Sequence, residues 1–166
     1  MTRLAMRVAR LDRMLRHAAE VAACICLAVA ASAASFQVVA RFVLDLPSPW
    51  TEALARLSLI WMVMLGLSVT LRNRALVSVD LLPAALGGTP ARLLHWTTLA
   101  CVLTVLACLF WYGLDMAQRV AGQTLSGLEV SIAWGYAAIP VGAILSMIAA
   151  VSAAISPPAA DIEDQL

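Results

Sequence analysis

Residues 51–71 read TEALARLSLIWMVMLGLSVTL. Glu52 and Arg56 sit in the first two turns of this stretch, and no further charge appears before Arg72. A helix needs roughly 20 predominantly apolar residues to cross a hydrocarbon core of about 30 Å, so the run is long enough to span a membrane. It lacks the period-two alternation of a barrel strand. Three more stretches pass the same test: about 18–40 (AAEVAACICLAVAASAASFQVVA), 93–114 and 130–155. Polar groups fall between them, so each segment can satisfy its own backbone hydrogen bonds inside lipid. The expected fold is all-α integral membrane, a single membrane domain over 1–166 with four transmembrane helices.

Composition points the same way. Of 166 residues, 63% are hydrophobic and 13% are charged, against about half and about a quarter in soluble domains. All 11 basic residues are arginine. The absence of lysine excludes a P-loop nucleotide site, a Schiff-base lysine and a catalytic lysine. A net charge of +1 lacks the basic surplus of a nucleic-acid binder, so no nucleic-acid partner is expected.

Arginine placement sets the expected orientation. Arg3, Arg7, Arg10, Arg13 and Arg16 precede the first span, and Arg72, Arg74 and Arg92 lie between the second and third. The opposite side holds only Arg41 and Arg119. The positive-inside rule then puts both termini in the cytoplasm, N-in/C-in. Ala31-Ser32-Ala33 imitates a signal-peptidase site, but the apolar run continues through Ala40, beyond the about 7–15 residues of a signal core. The first span is therefore read as a retained helix. Ser48 can cap the second helix, with Pro49 at its first position, where a missing N–H costs nothing. Trp50 then falls at the outer interface. Residues 75–90 (ALVSVDLLPAALGGTP) are apolar but broken by Asp80, Pro83 and Gly87-Gly88. They are expected to form a short amphipathic cytoplasmic helix between helices 2 and 3. Residues 156–166 read as a flexible cytoplasmic tail.

An ionisable group at the membrane midplane usually marks a proton or ion path. The middle third of each span has none; Glu20, Asp115 and Arg119 lie at span ends. A chain that carried an ion by itself would need midplane ligands, commonly on broken helices arranged as repeats. Glu52 and Arg56 are four apart with the acid first, the favourable order for a pair on one helix face. Two readings stand for them: a self-neutralised pair that snorkels to the headgroups, or an arginine that faces a neighbouring helix or subunit. Trp61 reads as a packing knob. Cys24, Cys26, Cys101 and Cys108 fall inside spans and read as small buried hydrophobes, since a thiol-exchange pair belongs in an outer loop and C-x-C points its thiols to different helix faces. His17 and His95 sit at span ends as interfacial side chains; as axial ligands they would make the chain a haem-carrying anchor. No catalytic, metal or cofactor-binding residue is assigned, and no enzymatic activity is expected. Ala138, Gly142, Ser146 and Ala150 in the fourth span form a small-residue seam, as do Ala28/Ser32 and Ala31/Ser35 in the first. Pro140 removes the bond to the Tyr136 carbonyl and should kink the fourth helix.

The ordered landmarks Trp50, Glu52, Ala55-Arg56, Trp61, Leu65-Gly66, Arg72 and Val79-Asp80-Leu81-Leu82, followed by Tyr136, Pro140 and Gly142 as Y-x-x-x-P-x-G, make a specific set. With the four-span layout, the chain resembles the small membrane subunit (DctQ-like) of tripartite ATP-independent periplasmic (TRAP) transporters over nearly its whole length. It departs from the pattern at Leu76 and Val77, where a His usually precedes V-x-V-D, and in the third loop, QTLSGLEVSIAW. The resemblance implies a small permease subunit in the bacterial inner membrane, partnered by a large TRAP permease subunit that handles sodium and substrate, by a periplasmic substrate-binding protein, and by membrane lipid. It implies sodium-coupled uptake of an organic anion, a carboxylate or acidic sugar, without ATP. Trp50, Glu52, Arg56, Trp61, Gly66, Tyr136, Pro140 and Gly142 would serve subunit interface and packing, and Arg72 and Asp80 the cytoplasmic loop. The segments from Arg41 to Glu52 and from Asp115 to Glu129 would help dock the binding protein. The alternatives are a haem- or quinone-associated anchor of a respiratory enzyme and a stand-alone small exporter.

Overall fold

The computed structural model describes the backbone of residues 3–46, 48–73, 88–125 and 130–155. These residues form α1 (Arg3–Phe42), α2 (Pro49–Arg72), α3 (Gly88–Arg119) and α4 (Ala133–Ile155). Each carries a stretch long and apolar enough to span a membrane: Met14–Phe42, Pro49–Arg72, Leu93–Arg119 and Ala133–Ala154. The all-α, four-span fold expected from hydropathy is the one that forms. The expected amphipathic helix lies largely outside the described residues, and the 156–166 tail lies outside them entirely.

The helices are longer than the apolar runs that betray them. α1 has 40 residues, about 60 Å at 1.5 Å per residue, twice the hydrocarbon thickness. Arginine is a good helix former, so the helix continues back to Arg3 after the lipid-compatible sequence has ended. For the same reason α3 runs past Leu114 and includes Asp115 and Arg119. At the start of α4 the helix is shorter than expected. Val130–Ile132 are drawn into a turn in which Thr124 and Ser131 form an antiparallel bridge, so α4 begins at Ala133. Ser131 fastens that turn: its hydroxyl donates to the Ala121 carbonyl at 2.9 Å and accepts from the Ala133 N–H at 3.2 Å.

α1 packs on α2, α2 on α4, and α4 on α3; among the described residues no other pair of helices is in contact. The result is an open row with α2 and α4 inside and α1 and α3 on the flanks. In the central stretch of α4, 44% of residues are buried, against 11%, 11% and 6% in α1, α2 and α3. Gly135 lies against Leu57 and Gly142 against Met64, so α2 and α4 run parallel at a constant offset.

Small residues line the contacts, as expected where lipid removes any hydrophobic drive between helices. Ala138, Gly142, Ser146 and Ala150 of α4 are all buried, while Val141, Ile144, Ile148 and Val151 face outward. The first-span expectation needs correction. Ala28, Ser32, Ala31 and Ser35 are exposed, and the Ser32 hydroxyl donates to its own Ala28 carbonyl at 2.8 Å. α1 instead packs through Cys26, Ala30, Ala33, Gln37 and Ala40, a four-three spacing that keeps one seam facing its neighbour. The cysteines also need correction. Cys24, Cys101 and Cys108 are exposed on the chain and only Cys26 is half-buried, because a small apolar side chain in a membrane protein is as well accommodated by lipid as by a core.

Ser146 is fully buried and its hydroxyl has no hydrogen-bond partner among the described residues. Ser68, Thr70 and Thr104, by contrast, each donate to a carbonyl three or four residues back. A buried unsatisfied polar group costs about 1–3 kcal/mol. Ser146→Ala is therefore expected to raise the midpoint of thermal unfolding in detergent, with a gain of about 1 kcal/mol. A lower midpoint would mean that the hydroxyl is bonded.

Candidate functional site

The expected interface residues separate into an inward and an outward set. On the inward side, Trp61 sits halfway along α2, and its indole Nε1 donates to the Trp134 carbonyl at 3.1 Å, tying α2 to the first turn of α4. Pro140 and Gly142 are buried and Tyr136 is half-buried. A Cβ at position 142 would stand 2.5 Å from the Met64 Cβ and 3.2 Å from its Cα and carbonyl oxygen. Gly113 of α3 plays the same part on the other side of α4. A Cβ there would meet Ile139 Cγ2 at 2.7 Å and Pro140 Cδ at 3.2 Å. The proline and its neighbours thus form the surface onto which α3 closes. Gly113, Gly135 and Met64 were not singled out from the sequence, because nothing local tells which glycine faces a neighbouring backbone.

On the outward side, the exposed residues of α2 after Trp50 are Glu52, Arg56, Leu59 and Val63. Their four-three-four spacing draws one straight stripe down the helix. The next step of that register is Gly66, where an added Cβ would meet nothing within 4 Å. α2 therefore has two faces covered by α1 and α4 and a third that the described residues leave open. Leu59 and Val63 join the candidate set here; extending the Glu52–Arg56 register down the helix would have found them. Trp50, at the head of the helix, packs its ring against Phe36 of α1 with centroids 5.8 Å apart. Ser48 is the N-cap residue with Pro49 following, as expected, but its hydroxyl makes no capping bond. Its carbonyl instead accepts from the buried Thr51 hydroxyl at 2.7 Å.

The ion pair read from spacing is formed: Arg56 Nη2 meets Glu52 Oε1 at 2.7 Å, with the side chains 71% and 60% exposed. A second acid-then-base pair, Arg119 Nε to Asp115 Oδ2 at 2.9 Å, marks the same end of α3. In water an exposed pair of this kind contributes about 0.3–0.5 kcal/mol. Near lipid the alternative is a lone charge, which costs about 2.5–3.5 kcal/mol at the centre of a span, so local neutralisation matters more. Arg72 is half-buried at the other end of α2. Asp80 and Glu129 lie outside the described residues. His17 and His95 belong to α1 and α3, the two flanks of the row. That placement does not favour a haem held between them.

The sequence profile described as tripartite ATP-independent periplasmic transporters, DctQ component, matches residues 30–157. The chain is 24% identical over 139 residues to the sialic acid TRAP transporter small permease protein SiaQ of Vibrio cholerae, covering 84% of this chain and 80% of that protein. It is 30% identical over 115 residues to the sialic acid TRAP transporter permease protein SiaT of Haemophilus influenzae, covering 67% of this chain but 18% of that protein. The isethionate TRAP transporter permease protein DctMQ of Oleidesulfovibrio alaskensis is 32% identical over 97 residues, 55% of this chain and 15% of its own length. The chain thus spans less than a fifth of the two longer relatives. With its four spans and the match over residues 30–157, the chain belongs to the DctQ family, the small-subunit component of TRAP transporters, and is a multi-pass protein of the bacterial inner membrane, part of a transporter and not an enzyme.

Proposed function

We propose that this chain is the fixed scaffold of a sodium-coupled TRAP carrier and that the open stripe of α2 seats the large permease subunit. The observation that carries the reading is the stripe itself: Glu52, Arg56, Leu59, Val63 and Gly66 are aligned on an inner helix and left uncovered by the packing of the described residues. Two long permease relatives contain the matched segment as a minor part of one polypeptide, which supports a partner of permease type. Arginine placement supports N-in/C-in. In that orientation the α1–α2 turn and the Thr124–Ser131 bridge face the periplasm, where a substrate-binding protein would dock. Relatives named for sialic acid and isethionate support an organic anion as substrate. The large subunit would carry the substrate and sodium sites.

The test is purification from the native membrane in mild detergent. A polytopic protein much larger than 17.6 kDa should co-elute, and uptake in proteoliposomes should need both proteins, the binding protein and a sodium gradient. Transport by this chain alone would overturn the proposal. The charge exchange Glu52→Arg with Arg56→Glu separates the two readings of the pair. It keeps local neutrality at a cost of a few tenths of a kcal/mol, so insertion should be unchanged. Recovery of the large subunit should fall by about tenfold if Arg56 faces it. Unchanged recovery would leave the pair a snorkelling one.

A further inference from the structure

Among the described residues α1 and α4 both flank α2 without packing on each other, and between them they leave a cleft at the arginine-rich end of the row. Ser68, Val69 and Arg72 of α2, Arg16 and Ala19 of α1, and Leu145 and Ile148 of α4 line this shallow, open cleft. Its chemistry is divided. The arginines lie where α1 enters and α2 leaves the hydrocarbon, while the other walls are mostly apolar, Ser68 excepted, whose hydroxyl is turned to the Leu65 carbonyl at 2.7 Å. Arg16 Nη1 donates to Asn73 Oδ1 at 3.2 Å, which steadies the guanidinium at the end of α2. That bond occupies one of the five donors a guanidinium offers. A soluble anion gains nothing from the apolar walls, and a bare acyl chain gains nothing from the arginines. A molecule that joins a phosphate to hydrocarbon uses both, and basic pockets between spanning helices bind lipid headgroups for this reason.

We propose that this cleft binds an anionic phospholipid, its phosphate-bearing headgroup at Arg16 and Arg72 and an acyl chain along Ala19, Val69, Leu145 and Ile148. A zwitterionic lipid would bring its own cation against the guanidinium groups and bind less well. The site is distinct from the outward stripe of α2, so it stands whether or not that stripe seats a permease.

The experiment is native mass spectrometry of the full-length chain during stepwise delipidation, after addition of phosphatidylglycerol, phosphatidylcholine or inorganic phosphate. Phosphatidylglycerol should be retained and phosphatidylcholine lost. Each arginine near a membrane surface contributes about fivefold to anionic lipid binding, so Arg16→Gln should lower phosphatidylglycerol retention by about that factor and the Arg16→Gln/Arg72→Gln double variant further. Arg119→Gln, at the far end of α3, should leave it unchanged. Arg16→Lys keeps the charge and should retain the lipid; equal loss in Arg16→Lys and Arg16→Gln would overturn the proposal. So would equal retention of the two lipids, or unaltered phosphatidylglycerol retention in Arg16→Gln. Binding of inorganic phosphate with the same arginine dependence would make the occupant a soluble anion and overturn the lipid assignment.

Discussion

Replacing Gly142 with leucine is expected to dismantle the α2–α4 seam, with loss of the monodisperse species in detergent and a fall in unfolding midpoint too large to recover by added lipid. Even a single Cβ at 142 would stand 2.5 Å from the Met64 Cβ and 3.2 Å from its Cα and carbonyl oxygen. A side-chain tip could swing aside, but the Met64 backbone cannot. Gly142→Ala must therefore push two parallel helices apart, at a cost in the range of about 1–3 kcal/mol typical of overpacking. Gly142→Leu demands a shift that the neighbouring small residues, Ala138 and Ser146, cannot accommodate, since both are already fully buried. Separation would also lengthen the Trp61–Trp134 bond and strip van der Waals contacts from the whole seam. Those contacts are the main attraction between helices in lipid. Thermal unfolding followed by fluorescence-detected size exclusion would grade the series. Equal midpoints for the unsubstituted, alanine and leucine chains would refute a close α2–α4 approach.

The same residues show how far a sequence can be read in this class of protein. The four spans were legible because hydropathy over about 20 residues answers one question, whether a segment is stable in lipid. It answers no question about where a helix stops, and so α1 reaches back to Arg3 and α3 runs on to Arg119. The α4 seam was legible because small residues recur every four positions opposite a bulky face of Val141, Ile144 and Ile148. The α1 seam was not. Its composition is so rich in alanine that small-residue patterns exist in several registers, and only the neighbour selects Ala30, Ala33 and Ala40. The Glu52–Arg56 pair is local and could be read from spacing. The Trp61–Trp134 bond joins residues 73 positions apart, and no pattern in either helix announces it. The division of the interface set into inward and outward halves likewise depends on α2 lying between α1 and α4, a fact of tertiary order.

Gly66 sharpens that division into an experiment, because here leucine should have the opposite consequence. Position 66 continues the exposed stripe of α2, and an added Cβ meets nothing within 4 Å. Gly66→Leu should therefore fold as well as the unsubstituted chain. It should even gain up to about 1 kcal/mol, since glycine in a helix interior is destabilising by roughly 0.5–1 kcal/mol relative to alanine. If the stripe faces only lipid, nothing else should change, because an additional apolar side chain is well solvated there. If it seats another helix, the glycine is the point of closest approach, as small residues are at membrane helix contacts, and leucine wedges the two apart. The expected result is a chain of normal or raised thermal stability that recovers the large permease subunit at least tenfold less well. Transport in reconstituted vesicles should fall in proportion. The two glycines then report separately: Gly142→Leu loses the chain's own fold, whereas Gly66→Leu keeps the fold and loses the partner. A Gly66→Leu chain that is stable and still assembles and transports normally would place the permease contact on some other face, such as the flank of α1 or of α3 or the outward face of α4 at Val141, Ile144 and Ile148.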